Sequence, residues 1–220
     1  MHASDTLWPS PSSPTVEHPA EGVTLLRAFC RDGAPTLLDA IAAVEAISPF
    51  RQMVVPTGHT MSVAMTNTGA LGWITDRTGY RYTAADPVTS RPWPAMPAPL
   101  LSLAQRAATA AGFPGFTPNG CLINRYAAGA RLSLHQDKNE QHYTHPIVSI
   151  SLGLPATFLL GTLRRADTPR RIRIEHGDIL VWGGPARLIY HGVAPIAAGV
   201  HSLTGPFRIN LTFRRVAESH

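Results

Sequence analysis

The chain has 220 residues, 44% of them hydrophobic and 15% charged, a composition that excludes wholesale disorder and allows one domain with a sizeable core. Its net charge of +5 rests on arginine, since Lys138 is the single lysine among 19 basic residues. No apolar run approaches membrane-spanning length and no basic start precedes an apolar stretch, so the expectation is a soluble, cytoplasmic protein without a secretory signal.

Residues 1–20 place Pro9, Pro11, Pro14 and Pro19 among serines. Such a segment cannot bury a core and is expected to be a disordered tail, with Trp8 making a local contact. From Thr36 to Ile47 the apolar residues Leu37, Leu38, Ile41, Val44 and Ile47 recur at helical spacing between Pro35 and Ser48-Pro49, which predicts a helix. Residues 50–94 alternate short strand-like runs, such as Met61 to Met65, with Gly, Asn and Pro, and predict a small irregular sheet with surface loops. A second helix is predicted from Pro99 to Ala111, stopped by Gly112. Beyond Gly120, eight short strands are predicted at 121–127, 131–135, 147–154, 156–160, 171–175, 178–182, 187–194 and 207–214. Strands this short, broken by Gly, Pro and Asp, argue for a β-sandwich or barrel. Cys30 and Cys121 lack paired-motif spacing and read as free thiols.

Two His-x-Asp pairs stand in this strand-rich half. On an extended segment, residues i and i+2 share a face roughly 7 Å apart and can lean onto one metal ion. His176-Gly-Asp178 leads straight into the apolar run Ile179 to Trp182, so Asp178 reads as a turn residue bonding local backbone. His135-Gln-Asp137 ends an apolar strand and opens a charged loop, Lys138-Asn139-Glu140, as at a cavity rim. His191 is its distant third partner. Two histidines and a carboxylate suit a non-haem Fe(II) oxygenase, with zinc the rival metal. His142 and His145, nearby in sequence, read as exposed.

The last predicted strand alternates without a break. Phe207, Ile209, Leu211 and Phe213 form one face, and Arg208, Asn210, Thr212 and Arg214 the other. An edge strand with a solvated polar face would show the same pattern. A second strand with Leu122, Asn124 and Tyr126 on one face favours a ligand-filled interior instead, because buried polar groups need partners. A dicarboxylate would satisfy them. Arg208 and Arg214, roughly 20 Å apart along an extended strand, would then serve opposite ends of the pocket.

With these residues in hand, the chain resembles the AlkB family of Fe(II)/2-oxoglutarate-dependent dioxygenases. The likeness rests on His135-x-Asp137, His191 and Arg208-x-Asn210-x-Thr212-x-Arg214. It extends through Ser48–Met53, Thr60–Asn67, Leu122–Tyr126, Leu132–Lys138 and Val181–Gly184, covering about 21–215. The resemblance implies a mainly β (α+β) fold: a double-stranded β-helix, or jelly-roll, core with flanking helices. It divides the chain into the tail, an N-terminal helix and nucleotide-recognition lid at 21–94, and the catalytic core at 95–220. It implies oxidative demethylation of N1-methyladenine and N3-methylcytosine in single-stranded DNA and RNA by a monomer, using Fe(II), 2-oxoglutarate and O2 and releasing succinate, CO2 and formaldehyde. By matching position, His135, Asp137 and His191 would hold iron, and Arg208, Asn210 and Tyr126 the distal carboxylate of 2-oxoglutarate. Asn124 and Arg214 would serve the metal-proximal end, Arg214 also steadying Asp137. Trp73 would stack on the base opposite His135, and Met65, Tyr80, Asn139 and Arg165 would complete the substrate side. Arginines 164, 165, 170, 171 and 173, in and beside one loop, suit phosphate contact as well as a solvated face. The chain departs from the family pattern at Asn139, where an acid is usual, and at His59 and Val55, where Tyr and Thr are usual.

Overall fold

The computed structural model describes residues 15–216. Two antiparallel sheets face each other. The larger has eight strands in the order β1–β2–β12–β9–β14–β7–β4–β3, where β1 is Thr15–Ala20, β2 Val23–Arg27, β3 Arg51–Val54, β4 Thr60–Gly69, β7 Gly120–Tyr126, β9 Ile147–Gly153, β12 Ile179–Trp182 and β14 Arg208–Arg214. The smaller runs β11–β10–β13–β8, with β8 Leu132–His135, β10 Ala156–Leu160, β11 Arg170–Ile174 and β13 His191–Val193. A two-stranded ribbon, β5 (Gly72–Asp76) with β6 (Gly79–Thr83), stands apart from both. Two opposed sheets with this strand exchange form the expected jelly roll.

Alternation along the strands gives the large sheet two apolar surfaces. Ile123, Val148, Ile150, Ile179, Val181, Leu211 and Phe213 point outward, where helices α1 (Ala34–Ile47) and α2 (Ala98–Ala110) cover them with Leu37, Ile41, Val44, Leu100 and Leu103. On the inner surface Tyr126, Ile147 and Trp182 pack against Phe158, Leu160 and Ile172 of the small sheet. The polar face of β14 therefore looks into the interior. That strand lies between β9 and β7 with every residue buried, so the edge-strand reading does not hold.

Other expectations need correction. The tail expected at 1–20 does not hold for its last six residues: residues 1–14, Trp8 among them, lie outside the described residues, and Thr15–Ala20 is a strand. Its backbone pairs with β2, and Arg27 binds Glu17 at 2.8 Å, so hydrogen bonding and an ion pair order a segment with little to bury. The sheet expected within 50–94 is not wholly separate. β4 pairs with β7 over Ala64–Gly69, which carries β3 and β4 into the large sheet and across the division expected at 94/95. Of the strand expected at 187–194, only His191–Val193 is extended. A 3-10 turn at Gly184–Ala186 precedes it, and Arg187 turns inward to donate to the carbonyls of His145 and Asp137. No helix among the described residues is long and apolar enough to cross a membrane.

Candidate active site

His135 closes β8 and His191 opens β13, and these residues are direct partners across the small sheet. The close approach depends on Gly192, where a Cβ would lie 2.7 Å from the Leu132 carbonyl. Asp137, just beyond β8, brings its carboxylate to 3.7 Å from Nε2 of His135 and 3.5 Å from Nε2 of His191. One ligand atom from each of the three lies within 4.8 Å of the others, and no other such group occurs among the described residues. Nδ1 of His135 lies 2.8 Å from the Ser133 carbonyl and Nδ1 of His191 3.1 Å from that of Ile189. A carbonyl only accepts, so each Nδ1 carries the proton and each Nε2 offers its lone pair. Withdrawal from water, reinforced by His191, pushes His135 down to about 4, which keeps that ring neutral. Burial alone would raise the Asp137 carboxyl, but Arg214 and the two imidazoles outweigh it and hold the carboxyl well below its ordinary value. Two imidazoles and a carboxylate fit a divalent cation, with room left for further ligands.

Arg214, at the end of β14, anchors Asp137 through Nη2 at 2.6 Å and Nε at 3.2 Å. Sequence reasoning missed what stands behind it. Glu140, read as part of a charged loop at a cavity rim, is 5% exposed, lies 3.2 Å from both Arg214 and Arg187, and accepts from the Tyr82 hydroxyl at 2.7 Å. Nothing in the polar run around Glu140 distinguishes it from a surface charge. Two serines were missed as well, although their spacing in an apolar strand could have marked them: Ser149 and Ser151, at i and i+2 on β9, share the inner face. Ser149 accepts from Asn210 at 2.8 Å and Ser151 from Arg208 at 3.0 Å.

The metal-ligating residues line a cavity of about 810 Å³. Asn124, Tyr126, Arg208, Asn210 and Arg214 line its depth; Met65, Trp73, Tyr80, Asn139 and Arg165 also line it, as do Val55 and His59. Arg208 is 1% exposed, and its Nε and Nη1 have no hydrogen-bond partner. Burial pushes this guanidinium down to about 10, with the Tyr126 hydroxyl opposing the shift. A charged fork left half-satisfied in the interior is costly without an anion, and a carboxylate has the shape to meet it. Trp73 and Tyr80 stack with ring centroids 5.8 Å apart; Trp73 is half-buried and Tyr80 exposed.

The second His-x-Asp pair is structural, as its sequence context indicates. Asp178 accepts from the backbone N–H of Ala28 and Glu175, both at 2.9 Å, and pairs with Arg27 at 2.8 Å. Between the two residues Gly177 adopts φ +88°, and a Cβ there would meet the Arg31 backbone at 2.9 Å. His176 accepts from the Gly153 N–H at 3.0 Å, and burial, with His201 and Arg31, pushes it down to about 4. An unfolded imidazole near 6.5 takes up a proton that the folded one refuses, so stability falls as pH drops from about 6.5 to about 4. Over that window the melting temperature of the natural protein is expected to fall more steeply than that of His176→Gln; parallel curves would contradict the assignment. His142 is exposed as expected, whereas His145 is half-buried beside Phe116.

The profile of the 2OG-Fe(II) oxygenase superfamily matches residues 22–214. The chain is 56% identical over 218 residues to the alpha-ketoglutarate-dependent dioxygenase AlkB of Salmonella typhimurium (strain LT2), covering 99% of this chain and 98% of that protein. It belongs to the AlkB family. As an AlkB-family protein it is an Fe(II)/2-oxoglutarate-dependent dioxygenase, and the His135–Asp137–His191 triad is the iron site of that chemistry. The AlkB fold is equally clear in the solved structure of OsALKBH1, which matches with a TM-score of 0.80 at 28% identity and covers 91% of this chain and 100% of that one. A shorter match, 36% identical over 129 residues, is to a Mus musculus protein named nucleic acid dioxygenase ALKBH1. It spans 56% of this chain and 31% of that protein.

Proposed function

We propose that this dioxygenase demethylates nucleic-acid bases, chiefly N1-methyladenine and N3-methylcytosine in single-stranded DNA and RNA, as a direct repair reaction. The observation that carries the reading is a metal triad in the wall of a cavity that also holds a buried, half-satisfied arginine, a stacked aromatic pair and exposed arginines. Similarity to a protein named for nucleic acid supports the substrate class. A base must leave its stack to enter such a pocket, and aromatic faces with nearby guanidinium groups suit a flipped nucleotide.

Each part of the chain has a task. Iron held by His135, Asp137 and His191 supplies the oxidising chemistry, with O2 as oxidant and 2-oxoglutarate as the co-reductant. Arg208 pairs the distal carboxylate of 2-oxoglutarate, and Asn210 and Tyr126 orient it. Asn124 and Arg214 serve its other end, Arg214 also fixing the direction of Asp137. Trp182 and Phe158, packed against the His191 ring at 4.9 and 5.9 Å, keep water from its inner side. Trp73 stacks on the base, Met65 and Tyr80 bound the slot, and Arg165 meets the backbone phosphate. The overall balance converts the N-methyl base, O2 and 2-oxoglutarate into the N–H base, formaldehyde, succinate and CO2.

The test is mass spectrometry of a 1-methyladenine oligonucleotide incubated with Fe(II), 2-oxoglutarate and O2. The natural protein should remove one CH2 and His135→Ala should not. Equal loss with both, or loss with neither, would sink the reading.

A further inference from the structure

We infer that Asn67 is a positioning residue for nucleotide capture, fixing Trp73 at the cavity through its side-chain amide; this rests on the proposed base demethylation, in which Trp73 stacks on the base. The ribbon that carries Trp73 has two strands, so the edge of β5 facing away from β6 has no strand to pair with. At Trp73 a side chain meets that edge. Oδ1 of Asn67 accepts from the Trp73 N–H at 3.0 Å, and Nδ2 donates to the Trp73 carbonyl at 3.0 Å. An N–H only donates and a carbonyl only accepts, so the two bonds fix which end of the amide is oxygen. One amide thus serves both backbone groups of one residue, as the backbone of a neighbouring strand would.

Asn67 is itself firmly seated. It is 0% exposed on β4, opposite Leu122 of β7, the strand that also carries Asn124 and Tyr126. Trp73 is thereby tied to the strands that line the depth of the cavity. Gly72 makes the close approach possible, because a Cβ there would lie 2.8 Å from Cβ of Asn67 and 2.4 Å from the Trp93 indole. Trp93 in turn donates from Nε1 to the Thr83 carbonyl at 2.9 Å, and Thr83 is the partner of Gly72 on β6. Both strands of the ribbon are fastened at this end, whereas Tyr80, beside the turn, is exposed. A ring whose backbone is already fixed loses less freedom when a base stacks on it, which lowers the cost of binding.

The experiment measures KM and kcat on a single-stranded 1-methyladenine oligonucleotide, and 2-oxoglutarate consumption without oligonucleotide. In Asn67→Ala, KM is expected to rise about 10-fold, with consumption of 2-oxoglutarate alone unchanged. In a Trp73→Ala background the same substitution should leave KM where Trp73→Ala puts it, since a residue that acts through the ring has nothing left to position. Asn67→Ser keeps a polar group but cannot span both bonds; it should show the same split, and it replaces Asn67→Ala if that variant does not fold. An unchanged KM in the folded variant overturns the inference alone. So does a parallel fall in 2-oxoglutarate consumption, or an additive effect in the Trp73→Ala background. Failure of the natural protein to act on the methylated oligonucleotide overturns it together with base demethylation.

Discussion

Replacing Arg208 with methionine is expected to weaken 2-oxoglutarate binding by at least roughly 30-fold while leaving the ligand-free chain no less stable. The two effects have one cause. Arg208 is buried with Nε and Nη1 unpartnered, and its visible hydrogen bond is the one to Ser151 at 3.0 Å. Truncating one member of a buried charge pair costs about 2–5 kcal/mol of affinity, and each 1.4 kcal/mol is tenfold. Without ligand the same guanidinium is a buried charge lacking a counterion, and an apolar side chain of similar length removes that burden. Thermal melts read both effects together. A ligand at 100 times its dissociation constant stabilises by about 2.7 kcal/mol, or about 5–11 °C for a chain of this size. The natural protein should gain that shift with metal and 2-oxoglutarate present, and Arg208→Met should not. A full shift in the variant would remove Arg208 from the carboxylate site.

Glu140→Ala should destabilise the fold by about 3 kcal/mol, a fall in melting temperature of about 6–12 °C. Glu140 lies between Arg187 and Arg214, each at 3.2 Å, and receives the Tyr82 hydroxyl, in a place almost closed to water. Removing the carboxylate leaves buried positive charge short of a partner. Burial works against the Arg214 charge, and Asp137 and Glu140 raise its pKa despite that; Glu140 also holds the Arg214 side chain at 3.2 Å, so its loss frees the arginine that anchors Asp137. Glu140→Gln keeps the shape and the acceptor for Tyr82 but drops the charge, and should fall between the two. If Glu140→Ala melts with the natural protein, the buried network is not a source of stability.

How much of this was legible in the sequence depends on whether a residue's role is local or depends on distant chain. β14 was readable because its alternation survives complete burial: the apolar half packs on helices and the polar half lines a cavity, both at period two. The His176-Gly-Asp178 turn was readable in part: Asp178 bonds the local Glu175 N–H as a turn residue does, whereas its bonds to Arg27 and Ala28, far away in the chain, left no mark in the sequence. Glu140 and Arg187 were not readable, because their burial follows from the meeting of the loop after β8, the turn before β13 and β6, which are far apart in sequence. Thr15–Ala20 was misread because edge pairing needs backbone and little side-chain burial, so no apolar pattern marks it. The likeness carried by the motifs supplied roles for Trp73 and Tyr80 that periodicity alone could not. The structure adds their mutual stacking and the bond from Trp73 to Asn139.

Anaerobic titration with Fe(II), followed by 2-oxoglutarate, tests the central assignment most directly. The natural protein should bind one Fe(II) per chain and then bind 2-oxoglutarate in a metal-dependent step. His135 lies at the cavity rim and can be truncated there without opening the core. His135→Ala should therefore remain folded and lose iron affinity by more than the roughly 10–100-fold that outer-shell changes produce. Unchanged Fe(II) affinity in a folded His135→Ala would contradict the site described here.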